Sequence, residues 1–287
     1  MPPVVFIFLD GVGLGADDES NPLWLAAMPA LHRLIGGPLV AGARKDRPNL
    51  VLRNLDPLLG VEGVPQSATG QTALFTGINV VKQLGYHLPA YPNGSLTKIL
   101  HEHSILRRAK DKGHRVTFAN AYSPFYFKLV KQEKRRMSAT TQAVLGAHIP
   151  FRWISDLERG KAVYWDITNE HLSERFDLEV PTVSPEQAGL NLARISDGHE
   201  LVLFESFLLD FIGHRKQRGD ALEALNRIDR FLGSVWDHVA PETTVLLSSD
   251  HGNVEDLHTR RHTVNPVPLL ATGPGAHYFR ETEYITD

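Results

Sequence analysis

The chain has 287 residues, enough for one large domain or a core with a modest insertion. Its 42% apolar and 22% charged content is that of a soluble globular protein, and a net charge of -3 gives no electrostatic case for nucleic acid or an anionic membrane as partner. There is no cysteine, which excludes disulfides, thiolate metal sites and cysteine nucleophiles and fits a reducing cytoplasm as the expected location.

The first apolar run, Val4 to Leu9, reads as a buried strand. Asp10 ends it, and no basic leader precedes it, so no signal peptide is expected. Gly11-Val12-Gly13-Leu14-Gly15 follows. A dinucleotide loop needs Gly-x-Gly-x-x-Gly. Here the glycines alternate, and Asp10 stands where a pyrophosphate would approach, so an oxidoreductase is set aside. The charge-free stretch from Val64 to Val81 is too rich in Ser, Thr, Gly, Gln and Asn to enter lipid. Inside it, Ser67 stands at the start of a helical pattern, where backbone N–H groups and the helix dipole favour a phosphate. Taken alone it is equally a helix cap, and Thr69 is a competing hydroxyl. The Gly-x-Ser-x-Gly frame of a serine hydrolase is absent.

Val116 to Ala119 reads as a second strand. Residues 120 to 180 are less regular, with Phe125, Tyr126 and Phe127, the basic residues Lys131, Lys134, Arg135 and Arg136, then Trp153 and Trp165. They form either a small insertion over the active site or a surface segment with a solvated basic face. Ser184-Pro185-Glu186-Gln187 is a helix start with the spacing of a capping box. A strand over Leu201 to Phe204 follows that helix. Ala221, Leu225, Ile228, Leu232 and Val235 recur at helical spacing before a last strand, Val245 to Leu247. Strands alternating with helices give an α/β fold with a mostly parallel sheet.

In such sheets the working residues lie at the carboxyl ends of strands. Asp10, Asp210 with His214, and Asp250 with His251 each follow a separate strand. Asp210 and His214 are four apart, so on a helical turn they point the same way. Aspartate with histidine suits zinc or manganese, whereas all-oxygen sites suit magnesium or calcium.

These pieces resemble the alkaline-phosphatase superfamily, and most of all its cofactor-independent phosphoglycerate mutase and phosphopentomutase branch. The resemblance rests on Leu9-Asp10-Gly11, Ser67 through Gly77, Asp210-Phe211-Ile212-Gly213-His214, Ser249-Asp250-His251-Gly252-Asn253 and His262-Thr263-Val264-Asn265-Pro266-Val267-Pro268. They stand in family order and span nearly the whole chain. The resemblance implies a single catalytic domain over 1–287, a three-layer sandwich around a mostly parallel sheet. It implies two divalent ions, zinc or manganese. Asp210, His214 and His262 would hold one. Asp10, Asp250 and His251 would hold the other, joined by Ser67, the nucleophile. His114 and His258 match no ligand position. The expected substrate is a small phosphate ester, and the expected product of Ser67 attack a phosphoserine. Little chain lies between Ser67 and Asp210 for a large closing domain, so water is favoured as acceptor over a second substrate hydroxyl. A phosphomutase and a non-catalytic metal-binding homologue are the alternatives. Glu205, Arg260, Arg261 and the basic residues of 131 to 136 are candidate substrate contacts or ordinary surface charges.

Overall fold

Val5 through Leu9 are all buried, so this strand needs cover on both faces. The computed structural model that supplies that cover describes residues 2–172, 180–215, 217–259 and 261–287. Its strands are β1 (Val4–Leu9), β2 (Lys45–Arg47), β3 (Leu50–Leu55), β4 (Val116–Phe118), β5 (Ala121–Tyr122), β6 (Arg152–Trp153), β7 (Leu201–Ser206), β8 (Thr244–Ser248) and β9 (Val267–Thr272). A 7-stranded sheet runs in the order β2-β3-β9-β8-β1-β7-β4. β4, β7, β1 and β8 are mutually parallel. β9 runs against β8 and β3, and β2 runs against β3. β5 and β6 form a separate short parallel pair.

Side chains alternate across this sheet and build two cores. Val5, Ile7, Leu9, Val202, Phe204, Val245 and Leu247 face one of them. Phe6, Phe8, Leu201, Leu203, Leu246 and Leu269 face the other. The first is covered by helices Pro185–Ser196 and Arg218–His238, through residues such as Leu192, Leu225 and Phe231. The second is covered by helices Ser67–Thr76, Gly94–His103 and Ala139–Gly146, through Phe75, Leu100 and Val144. Each large apolar side chain so buried contributes about 1.5–3 kcal/mol. The three-layer α/β sandwich expected from sequence is the observed architecture.

Local details depart from the sequence reading. Ser184 caps its helix by accepting from the Gln187 backbone N–H at 3.1 Å. The Gln187 side chain instead donates to Asn191 Oδ1 at 2.9 Å, so the box is not closed. The predicted strands are right in place, but β4 stops at Phe118, while β7 and β8 run further than their apolar runs. The antiparallel side was not anticipated. In β3 the charge Arg53 interrupts the apolar pattern, yet its side chain is 3% exposed and bonds Asp46 and the carbonyls of Lys45 and Arg280. In β9 Pro268 obscures the strand, but its ring sits opposite Asn54, beyond the end of the β8 pairing, where no ladder donor is needed.

Residues 120 to 180 do carry regular structure where described: helices Pro124–Lys131, Ala139–Gly146 and Ile154–Glu158 besides β5 and β6.

Asp229, buried inside helix Arg218–His238, fixes the layer beside the first core. It accepts the Ala30 and Leu31 backbone N–H groups at 3.0 and 2.8 Å, at the start of helix Pro29–Ile35. Asp229→Ala strands both donors. We expect a loss of about 2–3 kcal/mol in urea unfolding, with metal content unchanged because the contact lies away from Asp10 and Asp250.

Candidate metal centre

The register of the parallel strands brings three chain segments to one edge. Leu9 pairs with Ser206 and Phe8 with Ser248, so the residues just beyond them emerge together. Asp10 leaves β1 directly. Asp250 and His251 leave β8 after one further serine. Helix Leu208–Arg215 starts just past β7 and carries Asp210 and His214 on one face. Two glycines permit the crowding. Gly11 has φ +74, and a Cβ there would lie 2.7 Å from the Asp210 Cβ. At Gly70 a Cβ would lie 2.9 Å from the Asp250 carbonyl oxygen, so only glycine lets helix Ser67–Thr76 close on the end of β8.

The donor atoms meet in two groups. His214 Nε2 lies 3.3 Å from Asp210 Oδ2, His262 Nε2 lies 3.5 Å from Asp210 Oδ1, and the two Nε2 atoms are 3.3 Å apart. Ligands about 2.0–2.1 Å from a tetrahedral ion stand about 3.3–3.4 Å from each other. In the second group His251 Nε2 lies 3.3 Å from Asp10 Oδ1, 3.4 Å from Asp250 Oδ2 and 3.0 Å from Ser67 Oγ. The groups are contiguous. The His251 and His262 rings stack at 3.7 Å, and His251 also lies within ligand reach of Asp210 and His262. Every residue predicted from sequence as a ligand is thus in one cluster. His114 and His258 are not in it.

A family model described as the metalloenzyme superfamily matches residues 2–284. This chain belongs to that superfamily. Among curated proteins, this metalloenzyme is 24% identical over 227 residues to a phosphopentomutase of Limosilactobacillus reuteri, covering 74% of the chain and 54% of the relative. It is 33% identical over 105 residues to a 2,3-bisphosphoglycerate-independent phosphoglycerate mutase of Desulforudis audaxviator, covering 34% of the chain and 20% of the relative. The chain therefore spans about half the length of the phosphopentomutase. Its fold is similar to that of the PH0037 protein of Pyrococcus horikoshii, with TM-score 0.57, 15% identity and coverage of 95% and 85% of the two chains. It is also similar to alkaline phosphatase from the Antarctic bacterium TAB5, with TM-score 0.52, 14% identity and coverage of 100% and 96%. At these identities the structural likeness speaks for the fold alone.

The chemistry of the metalloenzyme's donor set fits divalent cations. Asp10 Oδ1 and both carboxylate oxygens of Asp250 are buried and have no hydrogen-bond donor among the described residues, a costly state unless a cation faces them. Burial, then the negative charge of Asp210, pushes the Asp250 carboxyl up to about 7. Burial and the neighbouring Asp250 raise Asp10 as well. Burial, then His251, pulls His262 down to about 4, and burial lowers His251. Both rings are therefore neutral and able to ligate at pH 7. Burial alone would raise Asp210, but the side-chain contacts with His214 and Asn253 leave it well below the ordinary range. The His262 Nδ1–H donates to the Pro65 carbonyl at 3.1 Å, which turns Nε2 toward Asp210 and His214.

Several supporting groups escaped the sequence reading. Gln71 donates to Asp10 Oδ2 at 3.0 Å and leaves Oδ1 free. Asn253 donates to Asp210 Oδ1 at 2.7 Å. Glu255, 2% exposed, accepts from the Gly13 and Asn253 backbone N–H groups at 3.0 and 2.8 Å, from the Thr263 hydroxyl and from the Asn265 amide. It ties the turn after β1, the turn after β8 and the segment after His262 into one body. Position in the fused motifs was the available signal: Asn253 and Glu255 extend the Asp250 motif, and Thr263 and Asn265 flank His262.

Ser67 is the first residue of its helix rather than its cap. Gln66 caps it with no side-chain bond, which leaves the Ser67 hydroxyl for His251. Thr69 is spent on backbone: it donates to the Gln66 carbonyl and accepts from Leu88, both at 3.2 Å. Asp10, Ser67 and Asp210 border a cavity of about 290 Å³ whose other walls include Tyr122, Tyr126, Trp165 and Glu205. Part of the segment from 121 to 138 thus borders the cavity, though Lys131 and Lys134 do not. Glu205 is not a surface charge. It is 3% exposed, accepts from Thr140 at 2.6 Å, and burial raises its carboxyl to about 7. Arg135 and Arg136 line the cavity and Arg261 does not. Arg260 lies outside the described residues.

A carboxyl held near 7 in the folded chain, against 3.8 ordinarily, keeps a proton that the unfolded chain has lost. Its contribution to stability is full below about pH 4 and is lost as pH rises through about 7. Asp250→Asn cannot ionise. In chelator-treated protein we expect this variant to gain stability relative to wild type between about pH 5 and pH 8. A stability difference that stays level over that range, in urea unfolding, contradicts the assignment.

Proposed function

We propose that this chain is a two-metal phosphoryl-transfer enzyme acting on small phosphate esters, with Ser67 as nucleophile and water as final acceptor. The observation that supports it most is the pair of contiguous donor groups with Ser67 Oγ 3.0 Å from His251 Nε2. Asp210, His214 and His262 are assigned to one ion. Asp10, Asp250, His251 and Ser67 are assigned to the other. The Asp/His mixture favours zinc or manganese. When bound, the divalent ions lower the pKa of a serine hydroxyl and offset charge on the transferring oxygens.

The chain's own part is positional. The helix start directs Ser67 Oγ at the cavity, with the dipole of helix Ser67–Thr76 behind it. Ser67 Oγ gives its proton to solvent and forms the new bond to phosphorus as the bond to the ester oxygen breaks on the opposite side, that oxygen taking a proton from solvent. Water then cleaves the phosphoserine, returns the proton to Ser67 and releases inorganic phosphate. Gln71 and Asn253 keep Asp10 and Asp210 oriented throughout.

Hydrolysis is preferred because the His214 side chain is 47% exposed, so solvent reaches the donor cluster. The sequence likeness to phosphopentomutase and phosphoglycerate mutase favours a second reading, return of the phosphoryl group to another hydroxyl of the same substrate. Product analysis separates them: free phosphate marks the hydrolase, an isomeric ester the mutase. Among the described residues no helix is long and apolar enough to cross a membrane.

Ser67→Ala is expected to keep the fold and most of the bound metal while turnover falls by roughly a thousandfold or more. Mass analysis of wild type quenched during turnover should find the phosphoryl group on Ser67. Near-normal phosphate release by Ser67→Ala would mean direct attack by water and would overturn the covalent route. Chelation should abolish activity and re-addition of zinc or manganese restore it. His262→Ala should cost about one ion per chain, and His258→Ala none.

A further inference from the structure

The cavity has two chemically different ends. Its floor is acidic, with Asp10 only 7% exposed. Arg135 and Arg136 also line it, and both are exposed. Arginines elsewhere in the protein commonly face an acid: Arg53 meets Asp46, Arg115 meets Glu200, Arg227 meets Glu170 and Arg230 meets Glu186. Arg135 and Arg136 pair with no carboxylate among the described residues. Aromatic rings hold them instead. The Arg135 guanidinium sits over Tyr126 at 5.1 Å and that of Arg136 over Tyr91 at 5.6 Å. Arg136 gives one further N–H to the Pro92 carbonyl at 3.3 Å. A ring occupies the face of a guanidinium and leaves its in-plane donors available. Lys128, Lys131 and Lys134 add charge around them, against Glu133 alone, in a chain of net charge -3.

We propose that Arg135 and Arg136 form a second anion subsite, which selects phosphate esters bearing a further carboxylate or phosphate on the leaving-group side. The inference rests on the phosphoryl-transfer reading above. In an in-line displacement the leaving oxygen points away from Ser67, so the rest of the ester extends from the buried floor toward the exposed rim. Arg135 and Arg136, both exposed on the cavity lining, are the cationic groups it would encounter there. Between the ends the wall is largely aromatic, with Tyr122, Phe125 and Tyr126. The acid in that wall, Glu205, is engaged by Thr140. At about 290 Å³ the cavity is at the small end of ligand pockets, so the two anions belong to one compact molecule.

The test uses metal-loaded full-length protein and alkyl phosphates of matched length ending in a hydroxyl, a carboxylate or a second phosphate. At the best length, kcat/KM for an anionic tail should exceed that for the hydroxyl tail by about tenfold to a hundredfold, as expected for a charge-assisted hydrogen bond. Arg135→Ala/Arg136→Ala should collapse that ratio toward one, the double lysine variant should restore part of it, and Lys131→Ala should leave it in place. Comparison of the two anionic tails shows which oxyanion the subsite prefers. Equal turnover of all tails by wild type overturns the proposal. So does an equal loss on all esters in the double alanine variant, because the guanidiniums would then hold the transferring phosphoryl group. If no ester is turned over, the phosphoryl-transfer reading fails. Calorimetry of metal-loaded Ser67→Ala with the bisphosphate and the monophosphate then decides the subsite alone. Tighter, Arg135- and Arg136-dependent binding of the bisphosphate upholds it, and equal binding overturns it.

Discussion

Asp10 and Asp250 are two buried carboxylates facing one imidazole, with three of their oxygens lacking any donor. No Lys or Arg among the described residues pairs with them. The near cations are histidines whose own burial opposes protonation. Such a cluster costs several kcal/mol of folding free energy unless protons or metal ions enter it. The raised carboxyls and lowered imidazoles are two consequences of this one constraint. Metal entry displaces protons from the acids while the rings are already free of them, so affinity for a divalent ion grows with pH.

The fold bears that cost by making the edge of the sheet rigid. β1, β7 and β8 are buried along nearly their whole length, and they end at the same level. The turns beyond them are pinned by Glu255, which gathers donors from three separate segments. A carboxylate taking several hydrogen bonds is satisfied where Asp250 is not. The two acids are five residues apart in sequence and have opposite functions, one fastening the loops and one left open to a cation. Gly11 and Gly70 permit the close approach on either side.

Much of this was legible in the sequence because strand ends and metal ligands leave strong local marks. A buried apolar run followed at once by Asp, as at Val4 to Asp10, indicates both a strand and the edge where it delivers its side chain. The Asp210 and His214 spacing indicates a helix face. The motif order carried His262, which no periodicity would have singled out. What stayed hidden depends on long-range partners. Arg53 reads as a break in a strand until Asp46 and two carbonyls are seen around it. Gln71 and Glu255 look like ordinary polar residues, since their meaning lies in groups 61 and 242 positions away. Glu205 reads as a surface charge because burial inside β7 is visible only when the helices are in place.

The division between floor and wall bears on how specificity arises. Every donor in the cluster comes from a sheet edge or from a segment tied directly to it, where a shift of an ångström would pull the donor atoms apart. Tyr122, Tyr126, Arg135 and Arg136 come from the segment between β4 and β7, built on short helices and the β5–β6 pair. Their aromatic contacts with one another, such as Tyr122 with Tyr126 at 4.9 Å and Phe127 with Phe151 at 5.0 Å, rest on the second core of the sheet, where Tyr122 meets Phe118 of β4. The exposed Arg135 and Arg136 supply none of the donor atoms of the cluster, so their charge can change without removing a donor. One fold can therefore carry different chemistry on such a wall, and what this chain binds is to be sought in the groups that line it.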